Sequence, residues 1–466
     1  MRRVTAMPSL RATTSGIAWP AMPTGSAATL ANLVYELDRT QWLSGEAVVA
    51  AQFAQLGVLA RHLAASIPSF RDRLARSGLR PDDLARPDGL AQLPPLSREE
   101  IVATGEELFA RRVPQGHAPL VTTRTSGSTG TPVTVRTTAV TNLLWDALTI
   151  RDHLWRGMDF RERVLAIRSG VKVPIEQPDW GPPTSTLYSS GPLAALPLFE
   201  PIEVLADRCV DFGPGVLIVY SSVLDALIAH FAQTGARPSG LRFIHSYAEL
   251  LAPSVRAAAT SAFDAVVWDT YSCEEVGNVA ADCPNGDGLH VLAEGVLVEI
   301  LDEHDRPCPV GGIGRVVVTE LHNVATPLVR YDLGDYAEVG AACPCGRGLP
   351  TLARIVGRER NRARLPDRTW TWPQAVPLVR YREVAPVRQV QLVQQPDGGV
   401  DVLAVVDRAP GAAALEALTA MVHASLGHPF PLRFVWRDQP IPRTRGAKFE
   451  PFRRVDAGDD SVSESG

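Results

Sequence analysis

Between positions 163 and 273 short apolar runs alternate with segments of helical length. The runs 164–167 and 216–220 read as buried strands, and 241–245 is strand-like again. Positions 222–234 carry the spacing of an amphipathic helix, with Ser221 or Ser222 as its cap. A second helix over 253–263 leads into the apolar run 265–268. This alternation predicts a parallel sheet with crossover helices, and ligands of such sheets bind beyond the carboxyl ends of the strands. Three polar clusters fall at those ends: Ser221 with Ser222, then Ser246, Tyr247, Ala248 and Glu249, then the stretch 269–275.

After Cys283 the pattern changes to β-rich segments and turns: 296–301, the turn Pro309, Val310, Gly311, Gly312, and 314–319. At Gly357 it changes once more, into the polar, basic run Arg358, Glu359, Arg360, Asn361, Arg362, which suits a linker. Beyond it 387–393 and 400–406 flank a Pro-Asp-Gly-Gly turn, 412–426 is helical and 432–436 is a final strand. The predicted fold class is therefore α/β. A large N-terminal domain, 31–357, combines parallel-sheet α/β layers with a β-rich subdomain, and 358–455 forms a small, mobile α+β lid. The opening 1–30 is Ser/Thr/Pro-rich without an acidic residue and is expected to be a poorly ordered leader, Met22 being an alternative start. The acidic 456–466 is expected to be a disordered tail.

Composition narrows the partners. With 45% hydrophobic and 21% charged residues in 466, the chain has the balance of ordinary globular proteins. A net charge of −5 argues against a nucleic-acid or anionic-membrane surface and in favour of small-molecule partners. No apolar stretch approaches the roughly 18 residues of a membrane span, and no secretory signal opens the chain, so the expectation is a soluble, cytoplasmic protein.

The candidate chemistry begins at Thr125, Ser126, Gly127, Ser128, Thr129, Gly130 and Thr131. Small residues rich in hydroxyls can wrap a polyphosphate in N–H and O–H donors. The lysine-plus-hydroxyl ending of the P-loop is absent, and the alternating 132–137 that follows is strand-like, so no helix N-terminus faces the phosphate. Six cysteines do not make a disulfide framework in so long a chain. Cys283, His290, Cys343 and Cys345 offer the three thiolates and imidazole that tetrahedral structural zinc prefers; unliganded cysteines packed as small apolar side chains are the other reading.

Five motifs stand in register: TSGSTGTP at Thr125, YSCEEVG at Tyr271, RYDLGD at Arg330, GRER at Gly357 and PRTRGAK at Pro442. In order and spacing they resemble the adenylate-forming enzymes, most of all the phenylacetate–CoA ligase and capsule-synthesis branch, from about position 61 to about 454. The resemblance implies a carboxylic acid activated by ATP as an acyl adenylate with release of pyrophosphate, then transferred to an acceptor. It implies that Thr125 to Thr131 hold the phosphates and that Glu275 anchors Mg²⁺. Tyr271 packs on the adenine against Tyr247, Ala248 and Glu249, Asp335 and Arg358 bind the ribose, and Lys448 bridges the attacking carboxylate and the α-phosphate.

The departures are Tyr247 where the family has glycine, Ala447 for another glycine, Arg360 and Asn361 for two acids after the hinge, and Trp370 and Trp372 in a segment without glycine. They leave the acceptor open. CoA comes first, with an aryl or arylacetic acid as substrate; an amine or hydroxyl acceptor is the second reading, and an idle nucleotide- or acid-binding relative the third. A homodimer is left open as the assembly.

Overall fold

The apolar runs of the alternating region pair side by side, as strands without a polar face must. Strands Val164–Arg168, Val216–Tyr220, Phe243–Tyr247 and the first half of Val266–Cys273 lie parallel, in the register Val164 with Val216, Tyr220 with Tyr247 and Phe243 with Val266. Helices Ile202–Phe212, Ser221–Thr234 and Pro253–Phe263 are the crossovers. Leu165, Ile167, Leu217 and Ile244 of the strands are buried with Leu224, Leu227, Val255 and Ala259 of the helices in one apolar cluster. Full burial of such a side chain contributes roughly 1.5–3 kcal/mol.

Residues 8–125, 132–286, 288–444 and 446–455 are described by this computed structural model. The chain divides into two compact units built from interleaved segments: one from 1–162, 177–193 and 270–355, the other from 163–176, 194–269 and 356–466. The last of these segments begins at Val356. Leu378 N–H donates to both carboxylate oxygens of Asp225 at 3.0 Å, which docks helix Leu378–Val384 on the crossover helix Ser221–Thr234. In the same unit Leu432–Arg437, Val400–Val406, Val387–Gln394 and Phe452–Arg454 form a four-stranded sheet in that order, against which helix Ala412–Leu426 buries Leu418, Val422 and Leu426.

The other unit is antiparallel. Its strands follow the order Val296–Leu301, Ile313–Glu320, Tyr331–Val339, Thr351–Arg358, Leu289–Val291, Gly277–Asp282, ending on the second half of Val266–Cys273. Arg330 braces this sheet from a fully buried position. Its guanidinium makes two 3.0 Å bonds to the Glu299 carboxylate and donates to the carbonyls of Ala91 and Leu93.

In the segment read as a leader, Arg11 N–H donates to Leu187 O at 2.7 Å, Thr13 and Thr14 bond to Met22, and helix Gly25–Thr40 buries Leu30, Val34 and Leu37. Two expectations change here. One helix, Gly45–Ser66, is by length and composition apolar enough to cross a membrane, because alanines fill the gaps between its polar residues. Its Phe53, Leu56, Leu59 and Leu63 are instead buried with Phe70, Leu74 and Leu84. Finally, neither Ser221 nor Ser222 caps its helix through its side chain; Ser222 N–H is satisfied from outside, by the Glu249 carboxylate at 2.8 Å.

Candidate functional site

Two paired strands flank the hydroxyl-rich segment in sequence. Strands Leu120–Arg124 and Thr134–Thr138 pair from Leu120 with Thr138 to Arg124 with Thr134, and Thr125 N–H to Val133 O at 2.8 Å closes the stem. Ser126, Gly127, Ser128, Thr129, Gly130 and Thr131 lie outside the described residues. Thr125 is buried, and its Oγ1 accepts from Val133 N–H at 3.2 Å and from the Arg98 guanidinium at 2.9 Å. The same guanidinium reaches Glu275 Oε1 at 3.3 Å. One cation therefore joins the loop's first residue to the proposed magnesium carboxylate.

Arg98 lies outside the five sequence motifs. Only the Ser97-x-x-Glu100 pattern marks it, and that pattern signals a helix start, not chemistry: Ser97 Oγ accepts from Glu100 N–H at 3.1 Å, while Glu100 accepts from Ser97 N–H at 2.8 Å. The capped helix Arg98–Thr104 fixes Arg98 in its first turn.

Glu275 sits in the tight turn between Val266–Cys273 and Gly277–Asp282, 7% exposed. Asp269 and Tyr271 thus lie within a strand, which pairing with Gly277–Asp282 extends past the point where the apolar run stops. Gly277 has φ +82° and packs under Trp145, whose indole would meet a Cβ at 2.5 Å. Tyr271 and Asp335, both expected at the nucleoside, meet directly, Tyr271 Oη donating to Asp335 Oδ2 at 2.7 Å.

In the second unit Tyr247 Oη donates to Ile167 O at 3.2 Å, and its ring stands edge-on to Tyr220 with centroids 4.9 Å apart. Ala248 takes φ +67°, and Glu249 N–H folds back on Tyr247 O at 2.8 Å. This tight turn sends the Glu249 side chain inward, 3% exposed. There it accepts from Ser222 N–H, from the Arg443 guanidinium at 2.8 Å and from Phe449 N–H at 2.6 Å.

Lys448, beside Phe449, closes a loop in which Thr444 N–H donates to Lys448 O at 2.9 Å and Ala447 takes φ +59°. Arg358 ends strand Thr351–Arg358, its N–H held by Asn361 Oδ1 at 3.0 Å. Arg360 pairs with Glu450, and Asn361 Nδ2 donates to Phe452 O at 2.8 Å, so the two residues that replace acids tie the start of this segment to its end. Trp370 is packed by guanidinium groups of Arg362 and Arg454 at 4.6 and 4.5 Å, and Trp372 lies over Gly357.

Cys283, His290, Cys343 and Cys345 converge, every candidate ligand atom within 4.8 Å of the others. Cys283 Sγ and Cys343 Sγ are 3.6 Å apart, and His290 Nε2 is 3.2 Å from Cys345 Sγ. Asn285 N–H points at Cys283 Sγ and Arg347 N–H at Cys345 Sγ, as around metal-bound thiolates. Burial holds the His290 imidazole down at about 4, so at neutral pH it carries the lone pair a metal needs. The donor set and its span fit tetrahedral zinc.

No protein-family model matches the chain. A phenylacetate–coenzyme A ligase of Thermus thermophilus is 28% identical over 155 residues, 32% of this chain and 35% of that protein. One of Pseudomonas putida is 26% identical over 338 residues, 69% of this chain and 73% of its own length. Among solved structures, 2-hydroxyisobutyryl-CoA ligase in the postadenylation state superposes with a TM-score of 0.69 at 18% identity, over 90% of this chain and 92% of that one. The same ligase with its acyl-AMP and CoA in the thioesterification state gives 0.59 over 90% and 91%. The alignment spans about a third of the Thermus relative, whereas the structural match spans nearly the whole chain. The chain has the fold of the adenylate-forming CoA ligases, and in sequence it is phenylacetate–CoA ligase-like.

Proposed function

We propose that this protein is an ATP-dependent, AMP-forming acid ligase that activates an aryl or arylacetic acid as its acyl adenylate and passes the acyl group to CoA. The observation that carries the reading is the Arg98 bridge between Thr125 Oγ1 and Glu275 Oε1, which gathers loop stem, carboxylate and cation in one place. Attack of a carboxylate on a triphosphate sets anion against anion, so a site for it needs fixed donors and positive charge where charge develops. Glu275 would hold Mg²⁺ as a hard oxygen ligand, and the ion would supply neutralisation of the developing charge. Arg98 then shares the phosphate end with the loop donors. Tyr271 with Asp335 orients the nucleoside, and Lys448 brings a compact cation to the reacting carboxylate.

The phenylacetate names of the relatives support the acid class, and the CoA-bound state of the structural neighbour supports the acceptor. The Cys283, His290, Cys343 and Cys345 set would hold a structural zinc, supported by its donor types and span. The test is ATP–pyrophosphate exchange against a panel of carboxylic acids, followed by mass spectrometry of products with and without CoA. Phenylacetate or a close aryl acid should drive exchange, a thioester should form only with CoA, and Lys448→Ala should slow exchange about 100-fold or more. No exchange with any acid would overturn the reading; adenylate without thioester would overturn CoA alone.

A further inference from the structure

Three donors from three elements converge on one buried carboxylate: Ser222 N–H in the first turn of helix Ser221–Thr234, the Arg443 guanidinium, and Phe449 N–H. Glu249 reaches them only because Ala248 adopts φ +67° and the chain doubles back on Tyr247, a conformation unfavourable for a residue with a Cβ. Two of the donors lie on the loop that carries Lys448. Arg443 opens that loop, bonding inside it to Ala447 O at 3.3 Å, and Phe449 closes it. Within it Lys448 N–H bonds to Thr444 Oγ1 at 3.3 Å. The lysine thus stands between two attachments to the same carboxylate.

We propose that Glu249 is the positioning residue for Lys448, fixing the backbone from which the lysine reaches the reacting carboxylate; this rests on the ligase reading. A lysine stem has four rotatable bonds, and its charge is useful only where its backbone is held. Charge-assisted hydrogen bonds to a carboxylate are among the stronger ones, and here the 3% exposure removes competition from water. Glu249 acts on catalysis through Lys448, so its effect belongs in turnover and not in nucleotide affinity.

The experiment compares Glu249→Gln, Lys448→Ala and the double variant in phenylacetate-dependent ATP–pyrophosphate exchange, with hydrogen exchange of the peptide over 441–452 in each protein. Glu249→Gln is expected to lower kcat about 10- to 100-fold while moving KM for ATP less than about 3-fold. In the Lys448→Ala background the same change should cost nothing more, because the two act as one unit. The amides of 446–449 should exchange at least about 10-fold faster in Glu249→Gln.

An equal loss in both backgrounds, or an effect confined to KM for ATP, would overturn the proposal and assign Glu249 to general stability or to nucleotide binding. Unchanged hydrogen exchange would overturn it as well. If wild type exchanges pyrophosphate with no acid while Glu249→Gln still frees the 446–449 amides, the ligase reading fails and the anchoring of the lysine loop stands. Arg443→Met, which removes one of the two attachments, should reproduce the hydrogen-exchange result if Glu249→Gln folds poorly.

Discussion

Single residues carry consequences out of proportion to their size where the backbone has no slack. Gly277 follows the Glu275 turn with φ +82° and with Trp145 in the space a Cβ would fill at 2.5 Å. Gly277→Ala combines overpacking with a strained φ and is expected to cost about 2–4 kcal/mol in urea unfolding. A cost under 0.5 kcal/mol would show that the indole moves aside freely. Glu320 makes a different prediction. Burial lifts its carboxyl to about 8 against an ordinary 4.5, the Asn323 amide at 3.0 Å only partly opposing this. Between those values the folded chain holds a proton that the unfolded chain releases. Stability from this group is therefore full below about 4.5 and is lost as pH rises through about 8. Glu320→Gln should remove roughly 1 kcal/mol per pH unit of decline between pH 5 and 8, read from urea midpoints; an unchanged slope would rule the group out.

At the scale of elements, what the sequence made legible was what local pattern controls. Strands Val296–Leu301 and Val400–Val406 and helices Pro253–Phe263 and Ala412–Leu426 coincide with their sequence readings, being bounded by turn residues and uniform in period. Two features were illegible because their causes are distant. The Val266–Cys273 strand continues through polar Asp269, Thr270 and Ser272 because Gly277–Asp282 comes back to pair with it. The start of helix Ser221–Thr234 is completed by Glu249, a residue from another strand end. The cysteine cluster lies between, its donor types legible in sequence and its convergence visible only once Leu289–Val291 pairs with Gly277–Asp282 and brings His290 into line. Cys343→Ser is expected to drop zinc from about one per chain to under about 0.1 by elemental analysis and to lower Tm by several degrees. Wild-type protein purified without chelator that contains no zinc would refute the metal.

At the scale of the whole molecule, the two compact units are built from interleaved segments, with changes at 177 and 194 that leave no mark in the hydrophobic pattern. Strand and helix alternate without interruption across those points, so no local signal could mark them. The motifs were legible for the opposite reason, each being a short run with its own chemistry; Arg98 was not, since a lone arginine at a helix start has none until Glu275 and Thr125 meet it. That meeting gives a prediction read on the intact chain. Whatever binds only the folded protein stabilises it by mass action, about 2.7 kcal/mol at a hundred times the dissociation constant, so ATP with Mg²⁺ should raise Tm by several degrees. Because a Mg²⁺ held by Glu275 would neutralise phosphate charge, ATP in excess chelator should stabilise distinctly less than ATP with Mg²⁺. Glu275→Ala should fold and lose that difference, leaving one ATP shift with or without the ion. Equal Mg²⁺-dependent shifts in wild type and Glu275→Ala would move the metal to another carboxylate and remove the basis on which Glu275 and the hydroxyl-rich loop are assigned to one triphosphate.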